Sequence, residues 1–287
     1  MSKYNLSDSK TVQKVLEKHG FHFSKSLGQN FLINPTVCPR MAEMGGAAPD
    51  VAALEVGPGI GVLTQELAKR CRKVVAIELD RRLFPVLEET LDDFSNVKIV
   101  PGDVLKIDLP QLFDEEFAGM DVIVCANLPY YITTPVLAAL LESRAFEAVT
   151  VMVQKEVAQR ICSAPGRGEY GAFSVFCQYY AEPELLFDVP ASCFIPQPKV
   201  TSAVLKLTMR KEPVCEIRDE GMFFKVVRAA FAQRRKTLLN ALASGFSQFD
   251  KQTLADVITA CGFAPTVRGE TLDIPGFAAI ANALADR

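Results

Sequence analysis

Histidine and tryptophan are nearly absent from this chain. Its 287 residues include no tryptophan and only two histidines, His19 and His22, which lie together near the N-terminus. Zinc sites and histidine-based catalytic pairs usually need an imidazole placed beside the other functional groups. We therefore predict no metal site, and any catalysis is expected to work without a histidine base.

Two further patterns are missing: paired cysteines and long apolar runs. The eight cysteines form no C-x-x-C pair and stand mostly inside apolar stretches, which is typical of reduced, buried thiols in the cytosol. No apolar run approaches the roughly 20 residues of a membrane span, and the first residues lack a signal-peptide core. We expect a cytoplasmic protein with no membrane partner.

Neither positive nor negative charge is in large excess. The formal net charge is −3, which argues against indiscriminate binding to nucleic acid and leaves room only for local basic patches. The clearest patch, residues 225–236, carries five positive charges and no acid: Lys225, Arg228, Arg234, Arg235 and Lys236. A run of this kind is usually a solvated helix face, and the sequence pattern alone favours that interpretation.

The most distinctive pattern in the chain is an apolar run followed by a glycine-rich turn. An apolar run over 51–56, which ends in Glu55-Val56, passes into three glycines at alternate positions, Gly57, Gly59 and Gly61. A strand that turns into a helix over glycines lets a ligand approach the backbone and the free N–H groups of the helix. The spacing is neither the G-x-G-x-x-G fingerprint nor a P-loop. Alone, it is compatible with an ordinary tight turn.

Strand and helix patterns alternate after residue 50. Apolar, β-branched runs predict strands over 51–56, 73–79, 97–100, 121–125 and 148–153, and amphipathic stretches predict helices between them, most clearly over 60–70 and 80–91. This order is typical of an α/β fold with a parallel sheet covered on both faces. An antiparallel edge pair is predicted over 184–189 and 200–209.

Residues from about 220 onward are predicted to be helical. We therefore expect one domain over 1–210, which includes an N-terminal arm, and a small all-α domain over 211–287.

Polar residues stand where the predicted parallel strands end. Glu78 ends the second strand, 21 residues after Gly57, while Asp103-Val104 follows the third and Asn127 follows the fourth. Ligands of such sheets bind at the carboxyl ends of the strands, and a carboxylate there can accept from ribose hydroxyls. Each residue alone could be a turn former or a helix cap. Together they predict a nucleoside ligand.

Asn127-Leu128-Pro129-Tyr130 suggests chemistry on the exocyclic amine of a base. Such a nitrogen is a poor nucleophile, but the Asn127 side-chain oxygen and the Leu128 carbonyl can hold its hydrogens while Pro129 stiffens the turn. Tyr130 offers a stacking face for an unstacked base. A methyl sulfonium is already a strong electrophile, so alignment and electrostatics suffice without a general base.

Two other segments have both a structural and a functional interpretation. The arm 25–32 contains Gln29, Asn30 and Leu32, which either close over a ligand or simply pack the arm on the domain. The sequence pattern alone favours the packing interpretation. Phe194 stands in a stiff, proline-rich segment over 194–202. It either stacks on a substrate or fills the core.

These motifs resemble the ribosomal RNA adenine N6-dimethyltransferases. The resemblance covers about residues 25–242 and is carried by Gly-Gln-Asn-Phe-Leu, the 55–61 loop, Glu78, Gly102-Asp103, Asn-Leu-Pro-Tyr and Phe-x-Pro-x-Pro-x-Val-x-Ser. The segment 231–238 and the helical tail are similar to the small-subunit (KsgA/RsmA) type. The resemblance implies a Rossmann-like domain with a mainly parallel seven-stranded sheet.

The resemblance also implies the activity and its residues. The cofactor would be S-adenosylmethionine, and the substrate two adjacent adenines in the 3′-terminal hairpin of small-subunit (16S) rRNA within an assembling 30S subunit, methylated by a monomer. Asn127, Leu128, Pro129, Tyr130 and Phe194 would hold the target adenine. The cofactor would contact Gln29, Asn30, Leu32, Glu55, Gly57, Gly59, Glu78, Leu79, Asp103, Val104 and Asn127. With an RNA substrate implied, phosphate contact becomes the better interpretation of residues 225–236.

Three other functions remain open at this point. One is methylation of large-subunit rRNA, as in the macrolide-resistance enzymes, and another is a non-catalytic RNA-binding assembly factor on the same fold. The third is a small-molecule dehydrogenase, which the glycine spacing and the Asn-Leu-Pro-Tyr motif disfavour.

Overall fold

The computed structural model describes residues 3–24 and 28–287; positions 25–27 of the predicted N-terminal arm lie outside the described residues. The chain divides into two compact units, Met1–Ala158 with Glu182–Met209, and Gln159–Ala181 with Arg210–Arg287. In the described ranges, no helix is long and apolar enough to cross a membrane.

The strands follow the predicted alternation with helices. They are β1 (Phe31–Leu32), β2 (Ala52–Val56), β3 (Lys73–Glu78), β4 (Val97–Pro101), β5 (Val122–Asn127), β6 (Ala148–Gln154), β7 (Ala181–Val189), β8 (Phe194–Ile195) and β9 (Ser202–Met209). The helices are α1 (Ser9–Lys18), α2 (Val37–Gly45), α3 (Val62–Ala68), α4 (Phe84–Thr90), α5 (Leu109–Phe117), α6 (Thr133–Ser143), α7 (Lys155–Ile161), α8 (Ala172–Tyr180), α9 (Glu220–Ala232), α10 (Leu238–Gly245), α11 (Lys251–Ala260) and α12 (Ile274–Ala285).

The first unit is built on a seven-stranded sheet in the order β4-β3-β2-β5-β6-β9-β7. The neighbouring strands from β4 to β6 are parallel, and β9 runs antiparallel to β6. Strand order reverses between β2 and β5, which places the ligand-binding crevice of such a fold at the carboxyl ends of these two strands. All five residues of β2 are buried, which agrees with its apolar pattern; Glu55 is the one charged residue in the strand.

Two predicted helices are shorter than expected, for local reasons. Helix α3 begins at Val62 rather than residue 60 because Gly61 has a φ of 90°, outside helical geometry. The predicted helix over 80–91 is a 3₁₀ turn, Arg81–Leu83, followed by α4. Asp80 caps the turn by accepting from the Arg82 N–H, and Pro85 stands in the first turn of α4, where its missing N–H is not needed.

Strand β5 is longer than expected and ends at Asn127 instead of residue 125. It stays in register with β6 up to the pair Asn127 and Met152. Asn127 is therefore held by the sheet itself, and the loop begins only at Leu128.

The second unit is helical and has its own apolar core. Its largest buried side chains are Tyr170, Phe223, Phe246 and Phe277, and the Tyr170 hydroxyl donates to the Leu272 carbonyl at 3.0 Å. Residues 159–181 belong to this unit although the sequence grouped them with the first domain. Tyr170 and Val175 explain the difference, because both are buried among the helical core residues.

Candidate cofactor and adenine site

A cavity opens at the carboxyl ends of β2, β3, β4 and β5. It is lined by fourteen of the residues predicted for the site: Gln29, Asn30, Leu32, Glu55, Gly57, Gly59, Glu78, Leu79, Asp103, Val104, Asn127, Leu128, Pro129 and Tyr130. The parallel strands bring the residues from Glu55 to Tyr130 together because each crossover returns the chain to the same edge of the sheet, and the N-terminal arm adds Gln29, Asn30 and Leu32.

The glycine loop after β2 has a conformation that side chains disfavour. Gly57, Gly59 and Gly61 have φ values of 70°, 60° and 90°. A Cβ at Gly59 would lie 3.1 Å from the Phe31 ring, whereas a Cβ at Gly57 would meet no described atom within 4 Å. Gly59 thus allows close packing of β1 on the loop, while Gly57 leaves its backbone open toward the cavity.

Glu78 is buried at the end of β3, with 6% of its surface exposed. Its Oε1 accepts from the Asp80 N–H at 2.7 Å, and its Oε2 accepts from the Gly59 N–H at 3.3 Å. Burial raises the pKa of this carboxyl, and the backbone donors oppose the rise. Since a carboxylate has about four acceptor positions, the backbone donors leave some acceptor capacity for a ligand.

Asp103 follows the end of β4, next to Gly102, which is bonded to the backbone of Glu78. The Gly102 N–H donates to the Glu78 carbonyl at 2.9 Å, and Asp103 Oδ1 accepts from the Leu105 N–H at 3.1 Å. The second carboxylate oxygen is 3.9 Å from the Lys106 ammonium. This arrangement leaves Asp103 as a partly exposed acceptor on the cavity wall.

Gln29 joins the N-terminal arm to the end of β3. Its Nε2 donates to Asp80 Oδ2 at 2.8 Å, and its Oε1 accepts from the Ser24 N–H at 2.8 Å. Both polar atoms of the Gln29 side-chain amide are therefore hydrogen-bonded within the protein. Although Gln29 lines the cavity, these bonds mainly hold the arm in place. Asp80, for which the sequence predicted no role, is not among the residues that line the cavity, and its contact with Gln29 fixes the arm beside the end of β3.

Asn30 and Asn127 connect the arm to β5. The Asn127 Nδ2 donates to the Asn30 carbonyl at 3.2 Å, and the Asn30 Nδ2 donates to the Gly28 carbonyl at 3.0 Å. Only the nitrogen of an amide can face a carbonyl oxygen, so the first contact fixes the orientation of the Asn127 amide. Its Oδ1 is the acceptor that this orientation offers to a ligand.

The turn after Asn127 is rigid. The Leu128 N–H donates to the Met152 carbonyl at 3.2 Å, and the Pro129 carbonyl accepts from the Ile132 N–H at 3.1 Å and the Thr133 hydroxyl at 3.3 Å. These bonds tie both sides of the turn to β6 and α6.

Tyr130 is fixed through its hydroxyl, which lies 2.7 Å from Ser202 Oγ on β9. Burial raises the pKa of this phenol, and the Ser202 contact opposes the rise. Ser202 closes the Phe-x-Pro-x-Pro-x-Val-x-Ser motif, but sequence reasoning gave it no role. Tyr131, also missed, lines the cavity with 57% of its surface exposed.

Phe194 is not among the residues that line the cavity. It is 1% exposed and belongs to the core of the first unit, because the pairing of β8 with β1 sets it opposite Leu32. The expectation that Phe194 presents a ring face to a substrate base is therefore not met in this conformation, and the core-filling interpretation fits.

The basic residues of 225–236 are exposed on the second unit. The Lys225 ammonium lies 4.6 Å from the centroid of the Phe246 ring. Arg234 donates to the carbonyls of Gly168 at 2.7 Å and Tyr170 at 3.0 Å, and lies 3.7 Å from Glu270. Arg234 thus also has a structural function.

A doubly wound sheet, a glycine loop after β2 and carboxylates at the ends of β3 and β4 define a Rossmann-like domain that binds a nucleoside-containing cofactor. The profile of the family described as ribosomal RNA adenine dimethylase matches residues 20–266. The chain belongs to the ribosomal RNA adenine dimethylase family.

Individual relatives agree with this assignment. "Ribosomal RNA small subunit methyltransferase A" of Bacillus mycoides (strain KBAB4) and of Bacillus cereus (strain B4264) are each 50% identical over 277 residues, which cover 95% of this chain and 95% of theirs. Among solved structures, the 23S rRNA methyltransferase ErmE has a TM-score of 0.68 at 27% identity and covers 89% of this chain and 100% of its own. A dimethyladenosine transferase from Plasmodium falciparum has a TM-score of 0.73 at 24% identity, with 87% and 95% covered, and is similar in fold.

The family expected from the sequence, its enzymatic nature, its fold and its cofactor S-adenosylmethionine are confirmed. The residues present fit that cofactor, which carries an adenosine, a sulfonium and an ammonium group. Buried carboxylates line the cavity, and Glu55 Oε2 has no hydrogen-bond partner among the described residues. Such an oxygen suits a cationic ligand.

Proposed function

We propose that this enzyme uses S-adenosylmethionine to dimethylate the N6 amines of two adjacent adenines in the 3′-terminal hairpin of small-subunit rRNA. It acts as a cytoplasmic monomer on the assembling small ribosomal subunit. The 50% identity to proteins named small-subunit methyltransferases over nearly their whole length supports the choice of subunit.

The ends of β4, β3, β2 and β5 would hold the cofactor in that order. Asp103 would accept from its adenine, and Glu78 would accept from its ribose hydroxyls with the acceptor capacity that the backbone leaves. The glycine loop and the arm would contact its methionyl half, and Asn127 at the end of β5 would lie beside its methyl group.

The orientation of the Asn127 amide is the observation that carries the chemistry. Because Nδ2 is bound to the Asn30 carbonyl, Oδ1 and the Leu128 carbonyl accept from the two N6 hydrogens of the target adenine. The nitrogen lone pair is then directed at the methyl carbon. The bound cofactor would supply an electrophilic methyl group, whose S–C bond would break as the N–C bond formed, while the nitrogen would release its proton to water. The same residues would hold the singly methylated amine for a second transfer from a second cofactor molecule.

Tyr130 holds the target base and does not act as a base catalyst. Its pKa is raised by burial, so the phenol stays protonated at neutral pH and keeps its contact with Ser202. The ring is therefore a fixed stacking surface for an unstacked adenine.

The second unit binds RNA through the exposed cations of 225–236. A protein of net charge −3 gathers few phosphate contacts, so tight binding requires a folded RNA surface that matches its shape. Assembled particles are then better substrates than naked RNA.

The test is methyl transfer to partly assembled small subunits, naked small-subunit rRNA and naked large-subunit rRNA, with the modified nucleosides identified by mass spectrometry. Dimethyladenosine in the small-subunit particles is the expected result. Preference for large-subunit rRNA would reassign the enzyme to the resistance type, and binding to particles without methylation would indicate an assembly factor.

A further inference from the structure

Glu55 is a buried carboxyl group without a counter-charge. It lies in β2 with 1% of its surface exposed, and its Oε2 has no hydrogen-bond partner in the described part of the chain. Glu55 also lines the cavity. Buried carboxyl groups are normally paired or hydrogen-bonded, so this exception requires a function.

The groups around Glu55 do not favour a negative charge. The titratable neighbours that act on it or feel its charge are Glu78 on β3, Cys38 on α2 and Cys125 on β5. From α3, the Thr64 hydroxyl opposes the rise in pKa, although its Oγ1 makes no hydrogen bond of normal geometry. Burial, the largest effect, raises the pKa of Glu55 to about 8. The group is therefore mostly neutral at pH 7.

The cofactor brings the missing cation. Strand β2 lies between β3 and β5, hence between Glu78 at the proposed ribose position and Asn127 at the transferred methyl group. The ammonium and sulfonium groups belong to the half of the cofactor that passes this strand. A positive charge close to a buried carboxyl favours its ionised form.

We propose that Glu55 is protonated in the cofactor-free enzyme and ionises when the cationic half of S-adenosylmethionine enters, so that cofactor binding releases one proton. The Glu55 O–H bond breaks, the proton passes to the solvent, and the carboxylate neutralises the cofactor charge. No group is oxidised or reduced. The proposal rests on the cofactor occupying this cavity as described above.

Release of this proton would avoid an uncompensated buried charge both in the cofactor-free and in the cofactor-bound enzyme. An ionised Glu55 in the empty site would be a buried charge without a partner, while a permanently neutral group would not balance the cofactor. Glu55 is then a specificity residue, because it favours a cationic cofactor over a neutral nucleoside of the same shape.

Calorimetric titration of the full chain with S-adenosylmethionine in two buffers of different ionisation enthalpy measures the proton directly. At pH 6.5 the cofactor's own amine, with a pKa of roughly 7.7–8.0 for an α-amino group, stays protonated and does not interfere. We expect nearly one proton released per cofactor bound by the unmodified enzyme and nearly none by Glu55→Gln.

Affinity provides an independent readout. Between pH 5.5 and 7, cofactor affinity of the unmodified enzyme should rise by about tenfold per pH unit, whereas that of Glu55→Gln should stay flat. Glu66→Gln is the matched control: Glu66 on α3 is paired with Lys69 and Arg70, which follow the helix, and does not line the cavity. This variant should keep the proton release.

The possible outcomes separate the proposal from the cofactor site. Binding without proton release, or an equal release by Glu55→Gln, would overturn the proposal and leave the site intact. Absence of binding by the unmodified enzyme would overturn both. S-adenosylhomocysteine, which lacks the sulfonium, identifies the cation: release with both ligands assigns the ammonium, and release with S-adenosylmethionine alone assigns the sulfonium.

Discussion

The two sides of the cavity differ in charge although they share one sheet edge. The side formed by β2, β3 and β4 carries three carboxyl groups, Glu55, Glu78 and Asp103, whereas the β5 side offers the neutral groups of Asn127 and Tyr130. The difference matches the two proposed ligands. The cofactor is a cation with ribose hydroxyls that need acceptors, and the target adenine is a neutral amine that needs to be held in one orientation.

The N-terminal arm connects the two sides. Gln29 binds Asp80 beyond the end of β3, and the Asn30 carbonyl accepts from Asn127 at the end of β5. Two residues adjacent in sequence thus contact opposite sides of the cavity edge, one beyond β3 and one at the end of β5.

Asn127→Ala should have the largest effect on methyl transfer. That effect should be limited to the β5 side of the cavity, where the target adenine is proposed to bind. Loss of the acceptor that orients the amine should lower methyl transfer by at least about 100-fold, the size seen when one preorganised polar group is removed from an active site. Single-turnover methylation of small-subunit particles measures it. Cofactor affinity from calorimetry should change by only a few-fold.

Asn127→Asp sharpens the same test. It keeps an acceptor but removes the Nδ2 donor to the Asn30 carbonyl, so the side chain is no longer oriented. We expect activity close to that of Asn127→Ala. Near-normal turnover in either variant would remove Asn127 from the chemistry.

Glu55→Gln should stabilise the cofactor-free enzyme. The folded-state pKa is raised from an ordinary 4.5 to about 8, so between these values the unfolded chain binds fewer protons and stability falls as pH rises. The amide removes this dependence. At pH 7 the gain is about 3 kcal/mol as an upper estimate, and at pH 4 it vanishes.

Chemical unfolding of both proteins at pH 4 and pH 7 checks this prediction. An equal difference at the two pH values would mean that the gain comes from packing. A lower stability of the variant at pH 7 would mean that Glu55 is ionised in the free enzyme.

Glu78→Ala should weaken cofactor binding by about 1–3 kcal/mol, since in the proposed site both ribose hydroxyls would lose an acceptor. The Gly59 and Asp80 N–H groups also lose theirs. Glu78→Gln separates these effects, because its amide keeps one acceptor oxygen. Calorimetry that finds unchanged affinity in Glu78→Ala would remove Glu78 from the site.

The residues at the strand ends could be predicted from the sequence, but the hydrogen bonds between residues far apart in the chain could not. Glu78, Asp103 and Asn127 were predictable because parallel strands bring their carboxyl ends to one edge. The bonds from Gln29 to Asp80 and from Tyr130 to Ser202 join positions 51 and 72 residues apart. Periodicity describes one segment at a time and carries no information about such pairs.

Phe194 and residues 159–181 show the same limit. A pattern of prolines around an aromatic residue describes a stiff segment, but the pairing of β8 with β1 decides whether the ring faces a ligand or the core. Likewise, Tyr170 lies in a segment that precedes β7, yet its ring packs among helices that begin about 50 residues later.

The smallest expected effect concerns the cations of the second unit. Arg235 is exposed and makes no hydrogen bond or ion pair to described residues, so Arg235→Gln should remove one phosphate contact. We expect a few-fold loss of affinity for small-subunit particles and unchanged affinity for the cofactor. The slope of log affinity against log salt concentration should become shallower by about one. Particle binding measured at several salt concentrations gives both quantities.

Arg234→Gln is the informative comparison, because Arg234 also holds the carbonyls of Gly168 and Tyr170 and pairs with Glu270. It should lower the stability of the helical unit as well as particle binding, whereas Arg235→Gln should leave the unfolding midpoint unchanged. If Arg235→Gln altered neither particle binding nor its salt slope, Arg235 would be a solvated cation and not an RNA contact. The RNA surface would then have to be sought at Lys225, Arg228 and Lys236.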